Sequence, residues 1–438
     1  MTTILGTVAI IALLWTALSA LPAGLEARMP LPYMIALTPL LWVPLVVLAA
    51  IGAWYHEWSA AAMLVVAALI ASSQRINYWG TSIDPVGKRR ESQRETHRET
   101  SVDVQNTNDS NISAATSSSP DTDAAIRETS RETGDVLRNN ETLSTSTSMD
   151  QGSNNEPAYA PIGVTPESAA DGNATAQTAL PAQFSVMTLN CRYGRADAAE
   201  IINAIRKHDI SVLALQEVTD ELIARLTEAG IDAPLPYHQF GEAKGTDNGG
   251  FNVLYSRVEP AVAVPNVVSI PAADVPAITL RIAGQAQVLP ASASTSTNGT
   301  AANPSTTAQA HPDRTITFCS AHPKSPMRGC ADWSAGILGL REIAKARSIG
   351  DHNIAVVLGD LNSSTDHPSF RALLKSGFKD ASLTQAAGPN TTFPSWLKWP
   401  RIELDHVLFT PGVKPSRVKS FEIKNTDHLA LVATLTLR

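Results

Sequence analysis

The chain has 438 residues, of which 44% are hydrophobic and only 17% charged, and a formal net charge of −7. That charge is unevenly placed: residues 1–181 carry 10 Lys+Arg against 18 Asp+Glu, whereas residues 182–438 carry 24 against 23. A nearly neutral C-terminal half counts against a dedicated nucleic-acid binder, which concentrates basic charge on its surface, and three cysteines supply no disulfide framework.

Three apolar runs open the sequence, over residues 4–21, 32–55 and 58–71. The first two approach or exceed the roughly 20 residues that cross a bilayer, and the third is short but extends through Ser73. Trp42, Trp54, Tyr55, Trp58, Tyr78 and Trp79 lie mostly near the run ends, as interfacial aromatics do. A cleaved signal peptide would need a basic stretch that the first run lacks. Residues 1–75 therefore read as a multi-pass membrane region of three spans. Lys and Arg near the spans (Arg28, Arg75, Lys88, Arg89, Arg90) favour a cytoplasmic C-terminal portion, while the Ser/Thr/Asn-rich composition that follows is common in stalks outside the membrane.

Residues 76–182 show no sustained hydrophobic periodicity and are expected to be a disordered linker, because so polar a segment cannot bury enough apolar surface to offset the entropy of ordering. The Arg-Glu-Thr triplets at Arg94, Arg98, Arg127 and Arg131 read as low-complexity drift.

From residue 183 the pattern becomes that of an ordered α/β (α+β) domain reaching residue 438. A strand over 184–190 ends in Asn190, a helix is expected over 196–208, and a buried strand over 211–215 delivers Gln216 and Glu217. A helix over 219–229 follows, capped by Thr219 or Asp220. Strands are expected at 237–241, 251–257, 262–270, 277–283 and 286–289, then a low-complexity surface insertion at about 290–312. The strand 315–321 runs into His322, whose bland reading is a satisfied structural histidine. A helix over 333–348 leads to the run 354–358 and the turn Gly359-Asp360-Leu361-Asn362. If extended geometry continues through that turn, Asp360 and Asn362 share a side and suit a hard cation and a phosphate; the alternative is a strand followed by an Asx turn. A helix over 367–376, a strand over 401–409 that carries Asp405, the pair Asp427-His428 and a last strand over 429–437 complete the domain. A Cys319–Cys330 bridge is open if this domain lies outside the cytoplasm, with buried free thiols as the alternative.

The order Leu189-Asn190, Gln216-Glu217, Tyr255-Ser256-Arg257, His322, Gly359-Asp360-Leu361-Asn362, Leu404-Asp405-His406 and Thr426-Asp427-His428 resembles the endonuclease/exonuclease/phosphatase superfamily, with Thr426 where that family commonly has Ser. The resemblance covers residues 183–438 and implies a DNase-like fold, a two-sheet β-sandwich flanked by helices. It further implies metal-dependent hydrolysis of a phosphoester or anhydride by water: Glu217 as principal ligand of Mg2+ (Mn2+ as the alternative ion), with Asn190, Asp360 and Asp427 about the metal; His428 as general base oriented by Asp405; Asn362 and His322 on the phosphate oxygens. With spans and linker ahead of it, the domain is similar to membrane-anchored bacterial members such as teicoplanin-resistance membrane proteins. That similarity implies an extracytoplasmic domain acting on a lipid-linked phosphoester or pyrophosphate. A membrane-tethered nuclease acting on DNA or RNA and a non-catalytic binding module are the competing readings.

Overall fold

In a computed structural model of the chain, residues 2–80, 179–245, 249–283, 314–346 and 353–438 are described. Most of the expected linker (81–178), the expected strand 286–289 and the insertion at about 290–312 lie outside them.

Four N-terminal helices come first: α1 (Thr2–Ala17), α2 (Leu31–Leu37), α3 (Trp42–Trp54) and α4 (Trp58–Asn77). Helix α1 with the short turn after it, and α4, are each long and apolar enough to cross a membrane. The second apolar run is not one straight span: it bends by 64° between residues 31–40 and 42–54, where Pro39 interrupts the backbone ladder. The third run is longer than its apolar stretch, since α4 continues to Asn77. Ala9, Leu45, Leu64 and Ala67 pack inward, and Ile4, Leu14, Val47, Val66 and Leu69 point outward, each 48% exposed or more.

The C-terminal domain is a sandwich of two mixed six-stranded sheets. One runs β11-β12-β1-β2-β4-β3, with β1 (Gln183–Asn190), β2 (Ile210–Val218), β3 (Tyr237–Phe240), β4 (Phe251–Ser256), β11 (Val413–Glu422) and β12 (Leu429–Leu437). The other runs β5-β6-β7-β8-β10-β9, with β5 (Val262–Val264), β6 (Ala277–Arg281), β7 (Thr315–Ser320), β8 (Asn353–Asp360), β9 (Lys379–Asp380) and β10 (Asp405–Phe409). The two parallel pairs, β1 with β2 and β7 with β8, sit mid-sheet. Each is joined by a helical crossover, because a parallel connection must leave the sheet and return over its face. The first crossover is α5 (Ala198–Lys207), capped by the Asp197 carboxylate accepting from the Glu200 N–H at 3.0 Å. The second contains α7 (Cys330–Gly339) and α8 (Arg341–Ala346).

Side-chain alternation sorts every central strand into two faces. Val186, Val212, Ala214, Phe318, Val356, Leu358, Val407 and Leu431 fill the space between the sheets. Met187, Leu213, Leu215 and Val432 face α5 and α6 (Asp220–Glu228), and Cys319, Ala355, Val357 and Leu408 face α7, α8 and α9 (Pro368–Lys375). By the same parity Asn190, Asp360 and Asp405 face inward at one end of the sandwich.

Several sequence expectations shift. The helix over 333–348 is two helices that break at Leu340, and the strand over 262–270 keeps only Val262–Val264. Strand β10 starts at Asp405 rather than Arg401, because residues 391–402 form a separate hairpin closed by the Phe393–Ile402 bridge. Strand β11 had no sequence expectation; its Lys, Ser and Arg residues mask the alternation, as suits an edge strand with one solvated face. Extended geometry also stops at Asp360: Asn362 has φ +49, and its N–H donates to Asp360 Oδ1 at 2.8 Å, an Asx turn. All three cysteines are free, Cys191 and Cys319 buried and Cys330 partly so.

Because neighbours in a strand face opposite ways, His406 leaves the sandwich interior that Asp405 faces. It sits under α9 with Phe370 at 4.3 Å between ring centroids. Its Nδ1 meets Asp380 Oδ2 at 2.9 Å and its Nε2 meets the Ser363 carbonyl at 2.8 Å. Burial alone would push the imidazolium toward losing its proton, but Asp380, Glu403 and the carbonyl raise the net pKa to about 9. Asp380, Glu403 and His406 form a group of the size that could hold a metal ion, yet both His406 nitrogens are already engaged, so the group reads as a buried ion pair.

Two outcomes follow for stability. A Cβ at Gly359 would lie 1.9 Å from the Ala321 carbonyl oxygen; Gly359→Ala should therefore lower unfolding free energy by about 1–3 kcal/mol or more, read by denaturant melts. His406 binds its proton more tightly folded than unfolded. Its contribution should be full below about pH 6.5 and lost as pH rises through about 9; the melting temperature should fall over that window, and less so in His406→Gln.

Candidate active site

A polar layer closes the inner core at one end. Thr188 Oγ1 donates to Gln216 Oε1 at 3.1 Å, Gln216 Nε2 donates to Ser320 Oγ at 3.0 Å, and Ser320 Oγ donates to the Leu215 carbonyl at 3.3 Å. This chain ties β1 and β2 of one sheet to β7 of the other, and each member is fully buried and hydrogen-bonded. The next inward residues form the site itself.

Asn190 stands at its centre. Its Nδ2 donates to Glu217 Oε1 at 3.1 Å and to Asp360 Oδ2 at 3.0 Å, while its Oδ1 accepts from the Arg192 N–H at 2.8 Å. Glu217 arrives there against strand parity, which would place it outward beside Leu215. A bulge between Leu215 and Val218 and a left-handed Glu217 backbone, φ +52, turn it inward. The loop after β1 then closes on it: Arg192, Tyr193 and Gly194 are all left-handed, the Tyr193 N–H donates to Glu217 Oε2 at 2.9 Å, and the Gly194 N–H donates to the Glu217 carbonyl at 2.7 Å. Holding two non-glycine residues in that region costs roughly 1–2 kcal/mol each, strain of the kind that collects at functional sites.

On the far side of Asp360, His428 Nδ1 bonds Asp405 Oδ2 at 2.7 Å and its Nε2 lies 3.6 Å from Asp360 Oδ2. Asp405 and Asp360 are direct partners in the antiparallel β8–β10 ladder, so the two carboxylates flank the ring as a consequence of register. Thr426 sets the approach, donating from its hydroxyl to the Asn190 carbonyl at 2.6 Å and accepting from the His428 N–H at 3.3 Å. The hydroxyl shared by Ser and Thr is the part used here. His322, beyond the end of β7, places Nε2 at 3.5 Å from Asp360 Oδ2 and 3.8 Å from Glu217 Oε1.

Six of the eight expected residues thus converge: Asn190, Glu217, His322, Asp360, Asp405 and His428. The other two sit at the mouth. Asp427 pairs with Arg192 at 3.5 Å and is partly exposed, and Asn362 Nδ2 donates to the Pro323 carbonyl at 3.1 Å. Sequence reasoning did not single out Thr188 and Ser320, whose small hydroxyls carry no spacing signal, nor the Arg192–Tyr193 turn, which only Gly194 hinted at.

The electrostatics are those of concentrated negative charge. Burial would raise the Asp360 pKa, but His428, His322 and the Asn362 N–H outweigh it and hold the carboxyl ionised well below the usual range. Burial would likewise strip His428 of its proton, yet Asp405, Asp360 and Asp427 raise its pKa to about 10. His322 shifts upward too, through Asp360 and Glu217. Buried carboxylate oxygens gathered about one amide fit a hard divalent cation, and Asp360, Asp405 and His428 alone bring ligand atoms within 4.8 Å of one another.

The family model described as Endonuclease/Exonuclease/phosphatase family matches residues 187–428. No curated protein matches the sequence. Among solved structures, the endonuclease/exonuclease/phosphatase from Beutenbergia cavernae is 18% identical with a TM-score of 0.41, over 58% of this chain and 72% of that one. The family protein from Bacteroides vulgatus is also 18% identical, with a TM-score of 0.40 over 58% and 99% of the respective chains. Humanized D. rerio TDP2 is 12% identical, with a TM-score of 0.41 over 58% and 99%. The family match spans more than half of the chain and takes in all eight candidate residues; the chain belongs to the endonuclease/exonuclease/phosphatase family, as a metal-dependent phosphoesterase.

Proposed function

We propose that the protein is a membrane-anchored, Mg2+-dependent phosphohydrolase of the kind found in teicoplanin-resistance membrane proteins, cleaving a phosphoester or pyrophosphate bond of a lipid-linked substrate by attack of water. The observation that carries the chemistry is the single Asn190 amide shared by Glu217 and Asp360, with the His428–Asp405 pair against the other edge of Asp360. The lipid part rests on the outward apolar faces of α1, α3 and α4 and on the near-neutral charge of the domain, which suits a small phosphate headgroup better than a polyanion.

Glu217 and Asp360 would hold the cation, with Asn190 fixing their separation and Asp427 at the mouth. The cation would neutralise phosphate charge and, by offsetting the carboxylates, ease proton loss from His428. His428 Nε2 then takes the proton of the attacking water, while Asp405 fixes the tautomer by accepting at Nδ1. His322 and Asn362, adjacent through the Pro323 carbonyl, would donate to the nonbridging oxygens as their charge grows. An extracytoplasmic placement is part of the proposal, carried by similarity to the anchored family members.

With the full chain in liposomes, phosphate release from polyprenyl pyrophosphate or phospholipid should require Mg2+ and be abolished by Glu217→Ala; no metal-dependent release from either would overturn the lipid assignment, and degradation of DNA instead would mark a nuclease. Asp405→Asn, which keeps shape but not charge, should lower kcat by on the order of 10²-fold or more with little change in KM, in steady-state assays on a water-soluble phosphodiester.

A further inference from the structure

Beside His428 the chain leaves the sandwich as a short hairpin whose tip is apolar and uncovered. Its root is well made: the Ile402 N–H donates to the Phe393 carbonyl at 2.7 Å, the Thr392 N–H donates to the Ile402 carbonyl at 2.9 Å, and Arg401 Nη2 fastens the Ser395 carbonyl at 2.7 Å. The Ser395 N–H donates to the Asp427 carbonyl at 2.7 Å, and Ser395 Oγ donates to the Thr426 carbonyl at 2.8 Å. Phe393 lies between the hairpin and the catalytic histidine, 5.8 Å from the Trp396 ring and 5.0 Å from the His428 ring. The tip itself, Trp396-Leu397-Lys398-Trp399 between Pro394 and Pro400, faces solvent: Trp396 is 65% exposed, Trp399 61% and Leu397 38%. A rigidly rooted loop that shows two indoles to water is unfavourable for a freely soluble domain, whereas tryptophan beside lysine is the composition of a membrane–water interface.

The root of this hairpin is continuous with the N-terminal helices. Arg401 and Ile402 line one groove together with Ala36, Pro39, Arg75 and Tyr78. The Gly388 N–H donates to the Tyr78 carbonyl at 2.8 Å, and Gly388 packs against the Trp79 ring, itself 63% exposed. Across the site, the turn Pro326–Arg328 carries Met327, 79% exposed. One side of the active site is therefore fastened to the end of α4, and both sides present apolar side chains.

We propose that the Trp396–Trp399 tip lies in the headgroup region of the same bilayer that holds the N-terminal helices, so that the active site opens onto the lipid surface and receives a headgroup phosphate there. This rests on the reading of those helices as membrane spans, and it adds a second, non-spanning contact with lipid at the catalytic histidine. Lys398 supplies the charge that favours an anionic surface.

The test uses the full chain with Cys330→Ser, so that the remaining cysteines are buried. Leu397→Cys, or Lys398→Cys as a second version, carries an environment-sensitive fluorophore, and the protein is reconstituted into phosphatidylcholine–phosphatidylglycerol liposomes. A label on the outer face of α4, Leu69→Cys, serves as reference. The expected result is loss of hairpin fluorescence to spin labels placed shallowly in the lipid, weaker loss to deeply placed ones, and protection from aqueous iodide. Quenching of the hairpin label by iodide alone, while the α4 label is quenched from within the lipid, would overturn the proposal and leave the membrane anchor standing. If neither label is quenched from the lipid, the anchor reading falls and takes the proposal with it. Protection from iodide that appears only when an oligonucleotide is added would assign the tip to nucleic-acid binding and overturn it as well.

Discussion

The alternation of side chains along strands whose register is fixed governs this molecule. Each central strand sends its odd or even residues into the space between the sheets, and that space is apolar until it gives way to polar residues at one end. There, Thr188, Gln216 and Ser320 join the sheets through hydrogen bonds, and Asn190, Asp360 and Asp405 lie at the same end. A slip of one residue in the β8–β10 pairing would break the alignment of Asp360 with Asp405. The core therefore specifies the site: the same register that buries Val356, Leu358 and Val407 sets Asp360 opposite Asp405.

Where alternation would give the wrong answer, the chain departs from it locally. Glu217 is the clearest case, with a bulge and a left-handed backbone bringing an outward position inside. The strained Arg192–Tyr193 turn supplies the amide that holds its carboxylate. The adjacent pair Asp405 and His406 shows the opposite use of the rule: one step along β10 separates a residue of the candidate site from one that sits in a buried ion pair beneath α9. Two charge clusters can lie so close without sharing a role because the sheet stands between them.

Much of this was readable in the sequence, because residues at strand ends follow directly from the apolar runs before them. Asn190, His322, Asp360 and His428 each close or open such a run, and the two-sheet fold was implied by the family that their order resembles. What could not be read has physical causes. A bulge depends on the partner strand, so nothing near Glu217 announces it. Strand β11 is a polar edge without alternation. The bend in the second apolar run leaves no mark in hydropathy, although Pro39 stands at its place. The Trp396–Trp399 tip lies where a strand was expected to begin shortly after, and an apolar cluster in a turn looks the same in sequence as the start of a core element. Contacts between residues hundreds of positions apart, such as Glu26 with Ser369, leave no local trace at all.

That last contact alters how the N-terminal helices should be regarded. Glu26 is fully buried, and its Oε1 accepts from both the amide and the hydroxyl of Ser369 at the start of α9, at 2.6 and 2.5 Å. His367 Nε2 meets the Pro32 carbonyl at 3.0 Å, and Arg371 reaches the Ser19 carbonyl. These residues belong to the loop and helix that directly follow Asp360 and Asn362. The helices are thus not an exchangeable tether. Replacing the N-terminal helices would strip α9 of the Glu26 carboxylate that its first turn holds, next to the loop that carries Asp360 and Asn362, so positions 26 and 369 are coupled across the molecule.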